Sequence, residues 1–310
     1  MTHCNRLVAA GLATAIAAAL PAAASADATQ HYVPGVEGSL GASVPPPGFY
    51  LRTYGVYYDS DNVKVDAISD NDGEIPGGDD SATVRAVVPR AIWITDKQFL
   101  GADYGMEAIA PILDKDVDAM GLSESDSGLG DVFLSPLILA WHGERYDTVL
   151  AAGYWTDAFS DYDDDNPVAA AASVGQGYSN VMVTLGGTWY LTADRTWAVS
   201  LLNRYETMAS EIEGTDIEPG DNWVAEWGIS HSFNPALTVG LVGYDSWQLT
   251  EDDAPAGVPT PKDEVHAVGG QVTYRSKSLG MSFDAALYDE YHSEHRPEGT
   301  TARVIVTIPF

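Results

Sequence analysis

Thr301-Ala302-Arg303-Val304-Ile305-Val306-Thr307-Ile308-Pro309-Phe310 is the stretch on which the fold turns. From Ala302 every second residue is apolar (Ala302, Val304, Val306, Ile308, Phe310), the period of a strand with one apolar face. Further back the pattern recurs. Val181, Val183, Leu185, Trp189 and Leu191 share one face against Met182, Thr184, Gly186, Thr188 and Tyr190. Trp223, Ala225, Trp227 and Ile229 oppose Asn222, Glu226, Gly228, Ser230 and Ser232, and Leu279, Met281, Phe283, Ala285 and Leu287 oppose Ser282, Asp284 and Tyr288. Two-faced strands suit a barrel in lipid, apolar side outward, and equally a soluble sandwich, apolar side inward.

Connection length chooses between them. Twelve strands are expected: Phe49–Asp59, Thr83–Thr95, Phe99–Leu113, Asp131–His142, Tyr146–Thr156, Asn180–Leu191, Thr196–Met208, Asn222–Phe233, Leu237–Leu249, Val265–Ser276, Leu279–Tyr291 and Thr301–Phe310. The links Asp96–Gln98, Gly143–Arg145, Thr192–Arg195, Asn234–Ala236 and Lys277–Ser278 are a few residues each. Between them come Ser60–Ala82, Asp114–Gly130, Asp157–Ser179, Ala209–Asp221, Thr250–Glu264 and His292–Thr300, all longer. Short and long alternate along the chain, as in outer-membrane barrels with tight periplasmic turns and long outer loops. Trp93, Trp141, Trp155, Trp189, Trp197, Trp223 and Trp247 fall near strand ends and Trp227 more centrally, which suggests two interfacial girdles. The expected fold is all-β: a transmembrane antiparallel β-barrel of about twelve strands, with short periplasmic turns and long acidic extracellular loops. It must close, because lipid offers no partner to an unpaired strand edge.

The ends of the chain fit export. Arg6, the apolar run Leu7–Ala24 and Ala24-Ser25-Ala26 make a secretory signal peptide over residues 1–26, with the single cysteine, Cys4, inside it. Residues 27–48, rich in Gly and Pro and holding Pro45-Pro46-Pro47, form an N-terminal periplasmic or lumenal segment, and residues 49–310 the barrel. With 45 acidic and 15 basic residues the formal charge is −30, which speaks against nucleic-acid binding. The terminal alternation ending in Phe310 resembles the membrane-insertion signal read by the barrel-assembly machinery, so Val304, Val306, Ile308 and Phe310 are assigned to that signal.

Several blocks carry a family resemblance. His31-Tyr32-Val33-Pro34-Gly35, Pro46-Pro47-Gly48-Phe49-Tyr50, Phe99-Leu100-Gly101-Ala102-Asp103-Tyr104-Gly105, Gly128-Leu129-Gly130-Asp131-Val132-Phe133-Leu134-Ser135-Pro136 and Trp141-His142 resemble the meta-pathway phenol-degradation family of outer-membrane transporters. The superfamily includes the amyloid-secretion channel of pseudomonads and is similar in architecture to the long-chain fatty-acid transporter. The usual Pro-Thr-Gly after the fifth strand is replaced here by Thr156-Asp157-Ala158-Phe159. The resemblance implies diffusive uptake of small hydrophobic or aromatic compounds across a Gram-negative outer membrane. The alternatives are a secretion pore for an extracellular polypeptide and a non-conducting structural or adhesive barrel. Expected partners are outer-membrane lipid and lipopolysaccharide, the assembly machinery and a small-molecule solute, with a homo-oligomer left open. By similarity to the fatty-acid transporter, His31, Tyr32, Pro34 and Gly35 form an N-terminal hatch.

Strand parity turns Arg52, Glu107, Arg204, Glu226, Arg275 and Asp284 inward as pore-lining groups. Arg85 and Arg90 join them if Pro89 marks a bulge. The first loop is crowded by Asp59, Asp61, Asp66, Asp70, Asp72, Glu74, Asp79 and Asp80, the third by Asp161, Asp163, Asp164 and Asp165; solvated charge is the expected reading, since neither follows a spaced calcium-loop pattern, with calcium held there or bridged to lipopolysaccharide phosphates as the alternative. No catalytic, cofactor-binding or metal set is assigned. Ser230 and Ser232 alternate away from His231, and His292 and His295 sit in the last loop without a third ligand.

Overall fold

The computed structural model describes residues 30–61 and 80–310. The signal peptide, residues 27–29, and Asp66, Asp70, Asp72, Glu74 and Asp79 of the first loop lie outside the described residues.

Strand segments run β1 (Gly48–Ser60), β2 (Ser81–Phe99), β3 (Ala102–Ile109), β4 (Ile112–Ala119), β5 (Leu122–Leu129), β6 (Val132–His142), β7 (Tyr146–Thr156), β8 (Asn180–Tyr190), β9 (Trp197–Met208), β10 (Asn222–Asn234), β11 (Leu237–Gln248), β12 (Glu264–Ser276), β13 (Met281–Glu294) and β14 (Thr300–Pro309). The one helix among the described residues is α1 (Pro167–Ala172). Neighbours pair antiparallel throughout, and β1 pairs with both β2 and β14, so the sheet closes on itself.

Fourteen segments make twelve spanning strands. β2 pairs with β4 along its first half, Ser81 to Val87, and with β3 along its second half, Arg90 to Phe99, so β3 and β4 are one strand, interrupted at Ala110-Pro111. β5 and β6 are likewise one strand, interrupted at Gly130-Asp131. Pro111 has no N–H to give to the ladder. Single bonds from Ala110 N–H to the Pro89 carbonyl (3.1 Å) and from Gly130 N–H to the Pro111 carbonyl (2.9 Å) bridge the gap.

The second long link, expected over Asp114–Gly130, is mostly strand. β4 and β5 meet at a tight turn, Met120-Gly121, both with positive φ (54° and 76°). The acidic residues Asp114, Asp116 and Asp118 alternate with Lys115, Val117 and Ala119, so this hairpin has period two under its polar composition. The last link is shortened too, because β13 runs on to Glu294.

The polarity of the barrel is inverted relative to a soluble protein. Leu185, Leu241, Leu287 and Val304 stand outward at 60%, 53%, 59% and 52% exposure, a belt for acyl chains. Trp93, Trp189, Trp197 and Trp223 also face out. Trp155 does not: it is buried in the lumen against Phe133 and His31. The packed core is the barrel interior, and the N-terminal segment is part of it. Ala42 sits in a cluster with Ile92, Ile138 and Leu202, and Tyr32 in another with Ile109, Phe133 and Met182. A Cβ on Gly228 would lie 2.6 Å from Ser39 Cα, so the segment presses on the wall where a strand has no side chain.

Candidate functional site

The site begins with one carboxylate. Glu37 is the single charged residue between Gln30 and Gly48, and it is buried at the centre of the lumen. Three arginines from different strands converge on it. Arg52 Nη1 of β1 donates to Oε2 at 2.8 Å, Arg204 Nη2 of β9 donates to Oε1 at 2.9 Å, and Arg90 of β2 bonds Oε1 closely. Arg90 also donates from Nε to Glu107 at 2.7 Å and from Nη1 to the Tyr54 hydroxyl at 2.7 Å. Burial alone would raise the Glu37 carboxyl; the guanidinium groups of Arg90, Arg52 and Arg204 overcome it and hold it well below the usual carboxylate range.

The rest of the segment is bound through its backbone. Glu206 of β9 accepts from the His31 and Tyr32 N–H groups, both at 3.0 Å. Glu226 of β10 accepts from Glu37 N–H at 3.0 Å and from the Tyr32 hydroxyl. Gln271 Oε1 of β12 accepts from Ser39 N–H at 2.8 Å, and Arg303 of β14 donates to the Val36 carbonyl. The Arg204 guanidinium lies 4.1 Å over the Tyr32 ring. His31 Nε2 lies 2.9 Å from Asp131, which also takes the Gln176 N–H at 2.9 Å and so ties the segment to the third loop.

Two cavities flank this latch. Toward the long-loop end lies one of about 340 Å³. Its wall is apolar, with Val84, Val88, Leu113, Val117 and Val168, and its floor is polar, with His31, Tyr32, Glu37 and Arg90. Toward the short-turn end lies one of about 50 Å³, bordered by Arg52, Glu107, Arg204 and Ser43. Glu37 and Arg90 border both, so the ion pair is the partition between them. The outer cavity is partly roofed by α1. Asn166 caps that helix, accepting from Val168 and Ala169 N–H at 3.0 Å, while Val168 and Ala172 pack on Val117 and Ala119.

Of the residues singled out in the sequence, Arg52, Arg90, Glu107, Arg204 and Glu226 meet in this network. Asp284 faces inward beside it, taking bonds from Thr273 and from Gln271 Nε2 (3.1 Å). Arg275 faces inward further down, donating to Thr238 at 3.1 Å. Arg85 is a correction: it points outward, donating to Asp114 and Asp116 at 2.7 Å each. The β1–β2 register runs unbroken through Thr53↔Pro89, so no bulge exists there to reverse its parity. His31, Tyr32, Pro34 and Gly35 border or pack into the lumen; Gly35 (φ 85°) would drive a Cβ to 2.8 Å from the Tyr244 ring. Val304, Val306, Ile308 and Phe310 lie along the outer face of β14, where Phe310 N–H donates to the Phe49 carbonyl at 2.9 Å. In the third loop Asp163, Asp164 and Asp165 are exposed, their oxygens within 4.8 Å of one another.

Sequence reasoning missed Glu37, Asp131, Glu206 and Arg303. Two of these had a signal: Glu37 as the lone charge of its segment, and Arg303 as the inward neighbour of Ala302 and Val304.

Comparison with known proteins comes to bear on this geometry. The model of the family described as "Putative MetA-pathway of phenol degradation" matches residues 65–304. No curated protein matches. Among solved structures, the COG4313 outer membrane channel from Pseudomonas putida F1 superposes with a TM-score of 0.74 at 12% identity, covering 90% of this chain and 100% of its own. The transport unit of the autotransporter AIDA-I from Escherichia coli superposes at 0.50 with 10% identity, covering 86% and 90%. At these identities the likeness is one of fold: a closed antiparallel β-barrel of the outer-membrane kind.

Proposed function

This chain belongs to the phenol-degradation family whose model spans its residues 65–304, and from that membership we propose that it is a channel for passive uptake of small hydrophobic or aromatic molecules. The observation that carries the reading is the outer cavity of about 340 Å³, with an apolar wall over a polar floor at His31, Tyr32 and Arg90. Such a space favours a compact apolar body with one polar or anionic end, because the wall rewards loss of apolar surface from water while the floor orients the polar group. The solute enters between the outer loops, rests above the Glu37–Arg90 partition, and passes when residues 30–47 shift as a hatch. The driving force is the concentration gradient.

The test is swelling of proteoliposomes in benzoate, benzyl alcohol and glucose. Relative to protein-free liposomes, the aromatic solutes should gain more in entry rate than glucose, by more than their smaller size explains. Equal rates for all three would leave a general pore, and no swelling in any would remove the uptake reading. A second reading, a non-conducting surface barrel, draws support from the small space below the partition, about 50 Å³. Planar-bilayer recording separates the two, since only a channel gives wild-type openings.

A further inference from the structure

Outside the lumen, the extracellular ends of β11, β12 and β13 bring together Asp245, Glu264, His266 and His292 on the outer face. We propose that Glu264, His266 and His292 form a binding site for a first-row divalent transition-metal ion such as zinc, with Asp245 as the outer carboxylate that orients His266. Each of the three offers one ligand atom, all within 4.8 Å of one another.

A bulge creates the site. Regular alternation from the inward Tyr288 and Glu290 would send His292 into the lumen. The β12–β13 register instead steps from Ala267↔Glu290 to His266↔His292, leaving Tyr291 as the extra residue. Parity reverses, and His292 comes out beside His266. Bulges recur where a side chain must be re-aimed. The two imidazole rings stack at 5.4 Å with planes 18° apart, so their edges run side by side. His292 Nε2 lies 2.9 Å and His266 Nε2 lies 3.7 Å from Glu264 Oε1. Metal–ligand distances of about 2.0–2.2 Å put tetrahedral ligands roughly 3.3 Å apart, between those two values.

The carboxylate behind His266 supplies the second argument. His266 Nδ1 lies 2.7 Å from Asp245 Oδ1, while Asp245 Oδ2 accepts from Trp227 Nε1–H at 3.0 Å. Asp245 is thus anchored against the far nitrogen of the His266 ring, whose Nε2 edge is turned toward the Glu264 carboxylate. A carboxylate on the far nitrogen of a ligating histidine is the usual outer support of a metal site. Two imidazoles and one carboxylate suit zinc, copper(II) or nickel rather than calcium, which takes about 6–8 oxygens. Glu294 Oε1, 3.8 Å from His292 Nε2, stands near enough to share the coordination sphere with water. The Trp223–Trp247 stack, with Trp247 paired to Glu264, places the site at the level of the aromatic girdle. An ion there would cross-link β12 to β13 at the rim.

The test uses the full mature protein folded in detergent micelles and titrated with zinc chloride by calorimetry. One ion per chain is expected. His266→Ala and His292→Ala should each abolish saturable binding, and Asp245→Asn should weaken it about 10–100-fold. His231→Ala, an outer-face histidine on β10, should leave it unchanged, and a large excess of magnesium should not compete. A measurement needing no variant is the zinc-induced shift of the His266 and His292 ring resonances in the wild-type protein. No saturable uptake, or uptake that survives His266→Ala with His292→Ala, would overturn the proposal; in the latter case the ion sits elsewhere, as on Asp163–Asp165.

Discussion

Glu37 shows how one side chain can hold a segment without covalent help. A carboxylate in the barrel centre has lost its water, and only the converging charges of Arg52, Arg90 and Arg204 repay that cost. Glu37→Gln should therefore loosen residues 30–47, read as faster protease cleavage within them and a several-fold rise in single-channel conductance. Unchanged cleavage and current would mean that Glu206 and Glu226 suffice. The pH dependence has a definite sign. The folded carboxyl is depressed, so the latch charge is present above the usual carboxylate value and is lost only as pH falls through the depressed one. Conductance should stay flat from pH 8 to 5; a rise on acidification over that range would put the gate in another group. Gly35→Val combines a left-handed backbone with a side chain driven into Tyr244, and it should release the segment by sterics rather than charge. Arg85→Ala serves as a control. Its exposed pairs with Asp114 and Asp116 face away from the lumen, so neither conductance nor selectivity should move.

Among the elements, α1 is the piece that sequence periodicity could not supply. Six residues are too few to hold a helix alone. It exists because Asn166 caps it, Pro167 starts it, and Val168 and Ala172 pack on the inner face of the β4–β5 hairpin. Asn166→Ala should cost about 1 kcal/mol locally. Hydrogen exchange should speed up at Val168 and Ala169 while thermal unfolding of the barrel stays put; a shifted barrel transition would mean that the third loop is part of the global cooperative unit. The β4–β5 hairpin was hidden for a related reason. Beyond the lipid belt a strand has no obligation to be apolar on its outer face, so Asp114, Asp116 and Asp118 read as loop although Val117 and Ala119 pack inward. Strands within the belt, such as β8 and β14, were legible because lipid demands an apolar outer face at every second residue.

For the whole molecule, closure does not depend on the segment in the lumen. β1 is paired with β14 from Tyr50↔Pro309 to Asp59↔Thr300, and every neighbouring pair is complete without residues 30–47. Deleting those residues should leave a folded barrel with a β-type circular dichroism spectrum and a much larger conductance. Failure to fold would show that the segment is a structural core rather than a hatch. By itself the sequence determined the all-β class, the number of spanning strands and the two-faced alternation of strands such as β8, β10 and β14. Each of these follows from a local period of two imposed by the solvent on one face. Only the tertiary structure decided that Glu37 would meet three distant arginines, that Arg85 would face out, and that a bulge at Tyr291 would set His292 beside His266. Those outcomes depend on register and closure, where one extra residue or one missing bulge reverses a side chain, and no local pattern encodes which partners the closed ring will bring together.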